Sequence, residues 1–267
     1  MAKKEIYVSV DIEADGPIPG DNSMLNVGMA AFEIDNRTPI ATFEANLKFL
    51  PGSLPDPDTM KWWGDPDRKA AWEYVTHNPR DPAEVVGEII AWAKKLPGRP
   101  VMVVYPTYDF MWLRWYLVHF GGIEAANKTF GFAALDIKTL VMGMLECPFR
   151  RAAKRNIPKR WFKGGVRHDH TGLADAIGQG AMLINMLAEL RDVALDEDGV
   201  SSQNEVLFVQ DEDKCWHRSA DLMGTTVVCK DVLDKGSPVI RRMDHTTPSL
   251  DQRCWVCEKK WKEGKRS

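Results

Sequence analysis

The chain has 267 residues, 44% of them hydrophobic, and a formal net charge of −3 from 35 Lys and Arg against 38 Asp and Glu. That composition suits a globular protein with room for one large domain and a small one. It excludes a membrane-spanning bundle, since no apolar run approaches the roughly 18 residues of a spanning helix. It also excludes a nucleic-acid binder that works by bulk positive charge, so any basic surface has to be local.

The opening Met1-Ala2-Lys3-Lys4-Glu5 lacks the apolar stretch of a secretory signal, and a cytoplasmic location is expected. Residues 6–12 alternate, with Ile6, Val8, Val10 and Ile12 on one face and Tyr7, Ser9 and Asp11 on the other, which is the period of a strand. A Gly/Pro-rich loop through Gly16, Pro17, Pro19 and Gly20 leads to strand-like runs over 25–34 and 40–48, an antiparallel meander. Apolar groups at helical spacing (Val86, Ile89, Ile90, Ala93, Leu96) predict a helix over 83–96, stopped by Pro97-Gly98. A buried strand over 101–105, a helix over 109–120, a short strand near 133–137 and another helix follow. Leu173, Ile177, Ala181, Ile184 and Ala188 share one face of a last helix. Three strands followed by alternating helices and strands predict an α/β fold with a mixed sheet and flanking helices.

Asp11 and Glu13 stand two apart on a strand, so their side chains leave the same face. Such a pair is costly unless exposed or offset by a cation. Taken singly, Asp109 reads as a first-turn acid at a helix N-terminus, Asp175 as a helical acid and His170 as a loop residue.

The ordered set changes that reading. Asp-Ile-Glu at 11–13, Tyr-Asp-Phe at 108–110 and His-Thr-Gly-Leu-Ala-Asp-Ala at 170–176 resemble the motifs of the DEDDh 3′–5′ exonuclease superfamily, its ribonuclease T-like branch in particular, over roughly residues 5–190. The resemblance implies a ribonuclease H-like, five-stranded mixed sheet. It also implies hydrolysis of phosphodiester bonds at single-stranded RNA or DNA 3′ ends, with RNA favoured by the ribonuclease branch. Asp11, Glu13, Asp109 and Asp175 become ligands of two Mg²⁺ or Mn²⁺ ions, hard cations that prefer oxygen donors, and His170 becomes the general base. His168 competes for that role, but the family spacing to the final acid selects His170. Asp15 and Asp136 match no catalytic position. A DNA-trimming exonuclease and a catalytically idle nucleic-acid-binding module are the alternatives; four converging acids argue against the idle version, because they repel phosphate.

A basic run precedes the histidine: Arg150, Arg151, Lys154, Arg155, Lys159, Arg160, Lys163 and Arg167, with Trp161 and Phe162 among them. Cations hold phosphates and aromatics stack bases, so Arg155, Lys159, Arg160, Lys163 and Arg167 are candidate nucleic-acid contacts. Trp62-Trp63 suits either base stacking or core packing, and Met24 sits where relatives touch the terminal nucleotide.

The acidic, Gly- and Ser-containing stretch 192–204 reads as a linker between an exonuclease domain, 1–191, and a small β-rich domain, 205–267. Four of the five cysteines fall in that small domain. Cys254-x-x-Cys257 has zinc-knuckle spacing, and His217 and Cys229, with Cys215 as alternate, are expected to complete a structural Zn²⁺ site; buried free thiols are the other reading. Homodimerisation is left open by the sequence.

Overall fold

The protein is described here from a computed structural model, which covers residues 4–165 and 171–191 and, further on, the backbone of three short strands. The chain divides into two compact units, Met1–Ser201 and Ser202–Ser267.

In the first unit β1 (Glu5–Ala14) pairs antiparallel with β2 (Met24–Phe32), and β2 pairs antiparallel with β3 (Ala41–Asn46). Two short helices follow, α1 (Pro57–Trp63) and α2 (Lys69–Val75). Asp56 caps α1 by accepting from the Thr59 amide at 2.8 Å, with Pro57 in the first turn. Then come α3 (Pro82–Lys94), capped by Asp81, and β4 (Arg99–Val104), which runs parallel to β1. Next are α4 (Tyr108–Gly121), α5 (Ile123–Phe130), β5 (Ala134–Asp136) and α6 (Ile137–Met144), where Asp136 accepts from Lys138 and Thr139. Three 3₁₀ turns within 149–162 lead towards α7 (Gly172–Leu190).

The sheet order is β3-β2-β1-β4-β5, with β1 at the centre. This is the mixed five-stranded, helix-flanked sheet of a ribonuclease H-like fold. The alternation read from β1 decides which layer each residue meets. Ile6, Val8, Val10 and Ile12 are at most 5% exposed and pack with Val86, Ile89, Trp112, Leu113, Tyr116 and Phe130 of α3, α4 and α5. Tyr7 faces the other layer, beside Ala30, Phe32, Ala176 and Ile184, so α7 covers the face that also carries Asp11 and Glu13. Burying each large aliphatic side chain contributes about 1.5–3 kcal/mol, and this two-sided core fixes the register of β1.

In the second unit β6 (Phe208–Gln210) lies between β7 (Trp216–Arg218) and β8 (Val239–Arg241), antiparallel to both. His217 is the middle residue of β7. The candidate ligands Cys215, Cys229, Cys254 and Cys257, and all of the expected linker, lie outside the described residues. No helix among the described residues is long and apolar enough to cross a membrane.

Candidate active site

The C-terminal end of β1 delivers two carboxylates to the α7 face, and the surrounding chain is built to hold that strand end still. The register pairs Asp11 with Gly28 and Glu13 with Asn26, and an irregularity follows between Glu13 and Ala14. Beyond it the chain is pinned three times. Trp63 Nε1 donates to Ala14 O at 3.0 Å, the Ser23 amide donates to Asp15 Oδ1 at 2.5 Å, and Tyr108 Oη donates to Gly16 O at 2.9 Å. Asp15 and Asp136 therefore have structural tasks, a loop anchor and a helix cap.

α7 reaches the strand because two glycines let backbones touch. A Cβ on Gly28 would lie 2.0 Å from the Gly172 carbonyl carbon and the Leu173 nitrogen; a Cβ on Gly172 would lie 2.3 Å from Asn26 Oδ1. In their absence the helix start sits directly on β2, and Asn26 Oδ1 accepts from the Gly172 amide at 3.0 Å, satisfying one of the orphan donors of a helix N-terminus. Asn26 is itself held by Asn46 Oδ1 at 2.7 Å. Asp175, in the first turn of α7, is thereby brought to the acids of β1.

Ligand oxygens of Asp11, Glu13 and Asp175 all lie within 4.8 Å of one another. Asp109 enters from the first turn of α4, 5% exposed, and the Ile12 backbone N–H donates to it. It stands close enough to raise the proton affinity of Asp11, although it is outside that tight group of three. Burial, then the charges of Asp109 and Asp175, push the Asp11 carboxyl well above the usual carboxylate range. Burial, then Asp11 and Asp175, do the same to Glu13. Burial chiefly, with Glu13 adding, raises Asp109, against the opposing Ile12 hydrogen bond. Lys154 pulls all three back down, and the Gln179 amide does so for Asp11. A set of hard oxygen donors whose own charges are poorly tolerated fits Mg²⁺ or Mn²⁺.

The remaining sequence candidates separate. His170 and its competitor His168 lie outside the described residues, as does Arg167. Met24 is fully buried in the core and Trp63 is 3% exposed, so neither presents a surface to a nucleotide in this structure; Trp62 is 38% exposed, with the Arg68 guanidinium 4.2 Å from its ring centroid. Arg155, Lys159 and Lys163 are exposed. Arg160 is engaged with Glu189 through two hydrogen bonds of 2.8 and 2.9 Å, and Trp161, 1% exposed, donates to the same carboxylate at 2.7 Å. That pair anchors the basic segment to α7. Two residues that sequence patterning does not single out as site residues, Lys154 and Gln179, act on the cluster. Only the four-residue step from Asp175 to Gln179, one helical turn, could have signalled the second.

Carboxylates gathered at the end of the central strand of a ribonuclease H-like sheet define a nuclease dependent on divalent metal. No family model matches the chain. It is 31% identical over 193 residues to the 3′–5′ DNA exonuclease Cap18 of Escherichia coli, a match covering 70% of this chain and 95% of that protein. Among solved structures it resembles the nuclease domain of 3′hExo, a DEDDh family member, bound to rAMP (TM-score 0.52, 10% identity, 75% of this chain and 97% of that one). It also resembles S. pombe Pop2p in its Mg²⁺- and Mn²⁺-bound form (0.52, 15%, 73% and 87%) and an E. coli ExoI–ssDNA complex (0.51, 12%, 84% and 53%). At these identities the structural likenesses speak for the fold alone. The Cap18 match carries the assignment: the chain belongs to the DEDDh-type 3′–5′ exonuclease superfamily.

Proposed function

We propose that the protein trims single-stranded DNA from its 3′ end, releasing mononucleotides. The observation that carries this reading is the cluster of Asp11, Glu13 and Asp175 within 4.8 Å, with Asp109 beside it. DNA is preferred because the relative that spans nearly the same domain is a DNA exonuclease. This reverses the RNA preference expected from the ribonuclease T-like resemblance, and RNA remains the competing substrate.

Asp11, Glu13, Asp109 and Asp175 would hold two Mg²⁺ or Mn²⁺ ions, which supply positive charge to activate the attacking water and to offset the charge on the leaving 3′ oxygen. The protein's own groups do the rest. His170, five residues before Asp175 in the family spacing, takes a proton from the attacking water at an imidazole nitrogen, since imidazole titrates near neutral pH. Arg155, Lys159, Lys163 and Arg167 hold phosphates of the strand; Arg160 contributes by fixing the segment through Glu189. Trp62, partly exposed beside Arg68, is the aromatic offered for stacking. Lys154, whose Nζ lies 5.6 Å from the Tyr105 ring centroid, brings positive charge to the carboxylates. In the C-terminal unit, His217, Cys229, Cys254 and Cys257, with Cys215 as alternate, would hold one structural Zn²⁺, a reading supported by the Cys-x-x-Cys spacing.

The test is digestion of matched single-stranded DNA, single-stranded RNA and duplex DNA in Mg²⁺, Mn²⁺ and chelator. Single-stranded DNA is expected to give the highest kcat/KM. A higher value on RNA would overturn the substrate choice, and equal rates in chelator would overturn the metal site.

A further inference from the structure

α7 turns two polar side chains towards the end of β1. Asp175 is one; Gln179, a turn later on the same side, is the other, and both are at most 5% exposed. Gln179 is flanked by apolar and small residues, among them Ala176, Gly180 and Leu183. A buried amide without partners is destabilising, and methionine would fill the same length without that cost. The side chain is nevertheless an amide. Its Nε2 donates to Asp11 Oδ1 at 2.6 Å, and its Oε1 is buried with no hydrogen-bond partner among the described residues.

The chemistry of that contact is specific. Asp11 has carboxylate neighbours and needs a fixed rotamer if its oxygens are to face a cation together with Glu13 and Asp175. A neutral donor at 2.6 Å fixes the carboxylate without adding a charge that would compete with the metal, as an arginine or lysine would.

We propose that Gln179 is a positioning residue for the metal site: through its hydrogen bond to Asp11 it sets the affinity of the carboxylate cluster for divalent cation, while touching neither cation nor substrate. This rests on the cluster being the metal site described above. Outer hydrogen-bond partners of metal ligands typically contribute 10- to 100-fold to metal affinity or activity.

The experiment is Mn²⁺ titration of the full-length protein, followed by loss of the free Mn²⁺ EPR signal and by the metal-induced rise in melting temperature. Wild type, Gln179→Met and Gln179→Asn are compared. Met preserves length and removes the donor; Asn keeps an amide one methylene too short to reach Asp11, and it serves if Met fails to melt cooperatively. Half-saturation is expected to move 10- to 100-fold higher in both variants, with kcat recovered at saturating metal and melting in chelator within a few degrees of wild type. Wild-type affinity in a folded variant would overturn the positioning role while leaving the metal site intact. A wild-type protein that binds no Mn²⁺ would overturn the metal site itself and this role with it. A variant with wild-type half-saturation but lower kcat at all metal concentrations would also overturn the role, since it would place Gln179 in the chemical step instead.

Discussion

Replacing Asp11 by Asn separates what the site does from what it costs the fold. Asn keeps the shape and an oxygen able to accept from Gln179, so the 2.6 Å hydrogen bond survives and only the charge is lost. Two ionised carboxylates within 4.8 Å of each other repel by roughly 3 kcal/mol or more at an effective dielectric of about 20. Protons taken up by the cluster relieve part of this, so the variant is expected to gain about 1–3 kcal/mol in chelator at neutral pH. That corresponds to a melting temperature roughly 2–12 °C higher for a domain of this size. The sign of the pH dependence follows from the raised proton affinities of Asp11, Glu13 and Asp109. The folded state binds these protons more tightly than the unfolded state. Their contribution to stability is therefore present below the ordinary carboxylate value of about 4 and is lost as pH rises through the elevated folded values. Wild-type protein in chelator should lose stability over that window, and Asp11→Asn should lose less. Mg²⁺ at 100 times its dissociation constant should return about 2.7 kcal/mol to the wild type and much less to the variant. Melting curves from pH 4.5 to 8, with and without Mg²⁺, are the assay. A variant less stable than wild type in chelator, or one with an undiminished Mg²⁺ shift, would refute the reasoning.

Three further outcomes are expected. His170→Ala should lower kcat about 10²–10⁴-fold with Mn²⁺ binding retained, whereas His168→Ala should change little; steady-state kinetics of both decide between the histidines. Gly28→Ala sets a methyl 2.0 Å from the backbone of Gly172 and Leu173, and should cost about 1–3 kcal/mol or more in a denaturant titration while displacing Asp175 and abolishing turnover. Cys254→Ser should lose about one Zn²⁺ per chain by elemental analysis, with nuclease activity of the variant largely retained; a parent protein purified without zinc would remove the basis for that site.

Much of the carboxylate cluster was legible because it depends on local pattern. The two-residue period of β1 placed Asp11 and Glu13 on one face, and the order of the three motifs supplied Asp109 and Asp175. What the sequence concealed depends on contacts between distant segments. β2 is buried at every position, being paired on both edges and covered on both faces, so it carries no alternation to show Met24 as core. The short helices α1 and α2 sit between prolines and turn residues, and the role of Trp63, bonded to Ala14 across 49 residues, could not be told from that of exposed Trp62. Arg160 looked like its basic neighbours until Glu189, 29 residues on, claimed it. Gly28 had no signature at all, because its task exists only where β2 and α7 meet.

The most direct measurement uses one single-stranded DNA oligonucleotide labelled at its 5′ end, with a free or a blocked 3′ hydroxyl. With Mg²⁺ the free end should shorten one nucleotide at a time to a ladder that retains the label, the blocked end should resist, and chelator or Asp11→Asn should stop both. Early release of the 5′ label as mononucleotide, or trimming that persists in chelator, would contradict a metal-dependent 3′–5′ exonuclease.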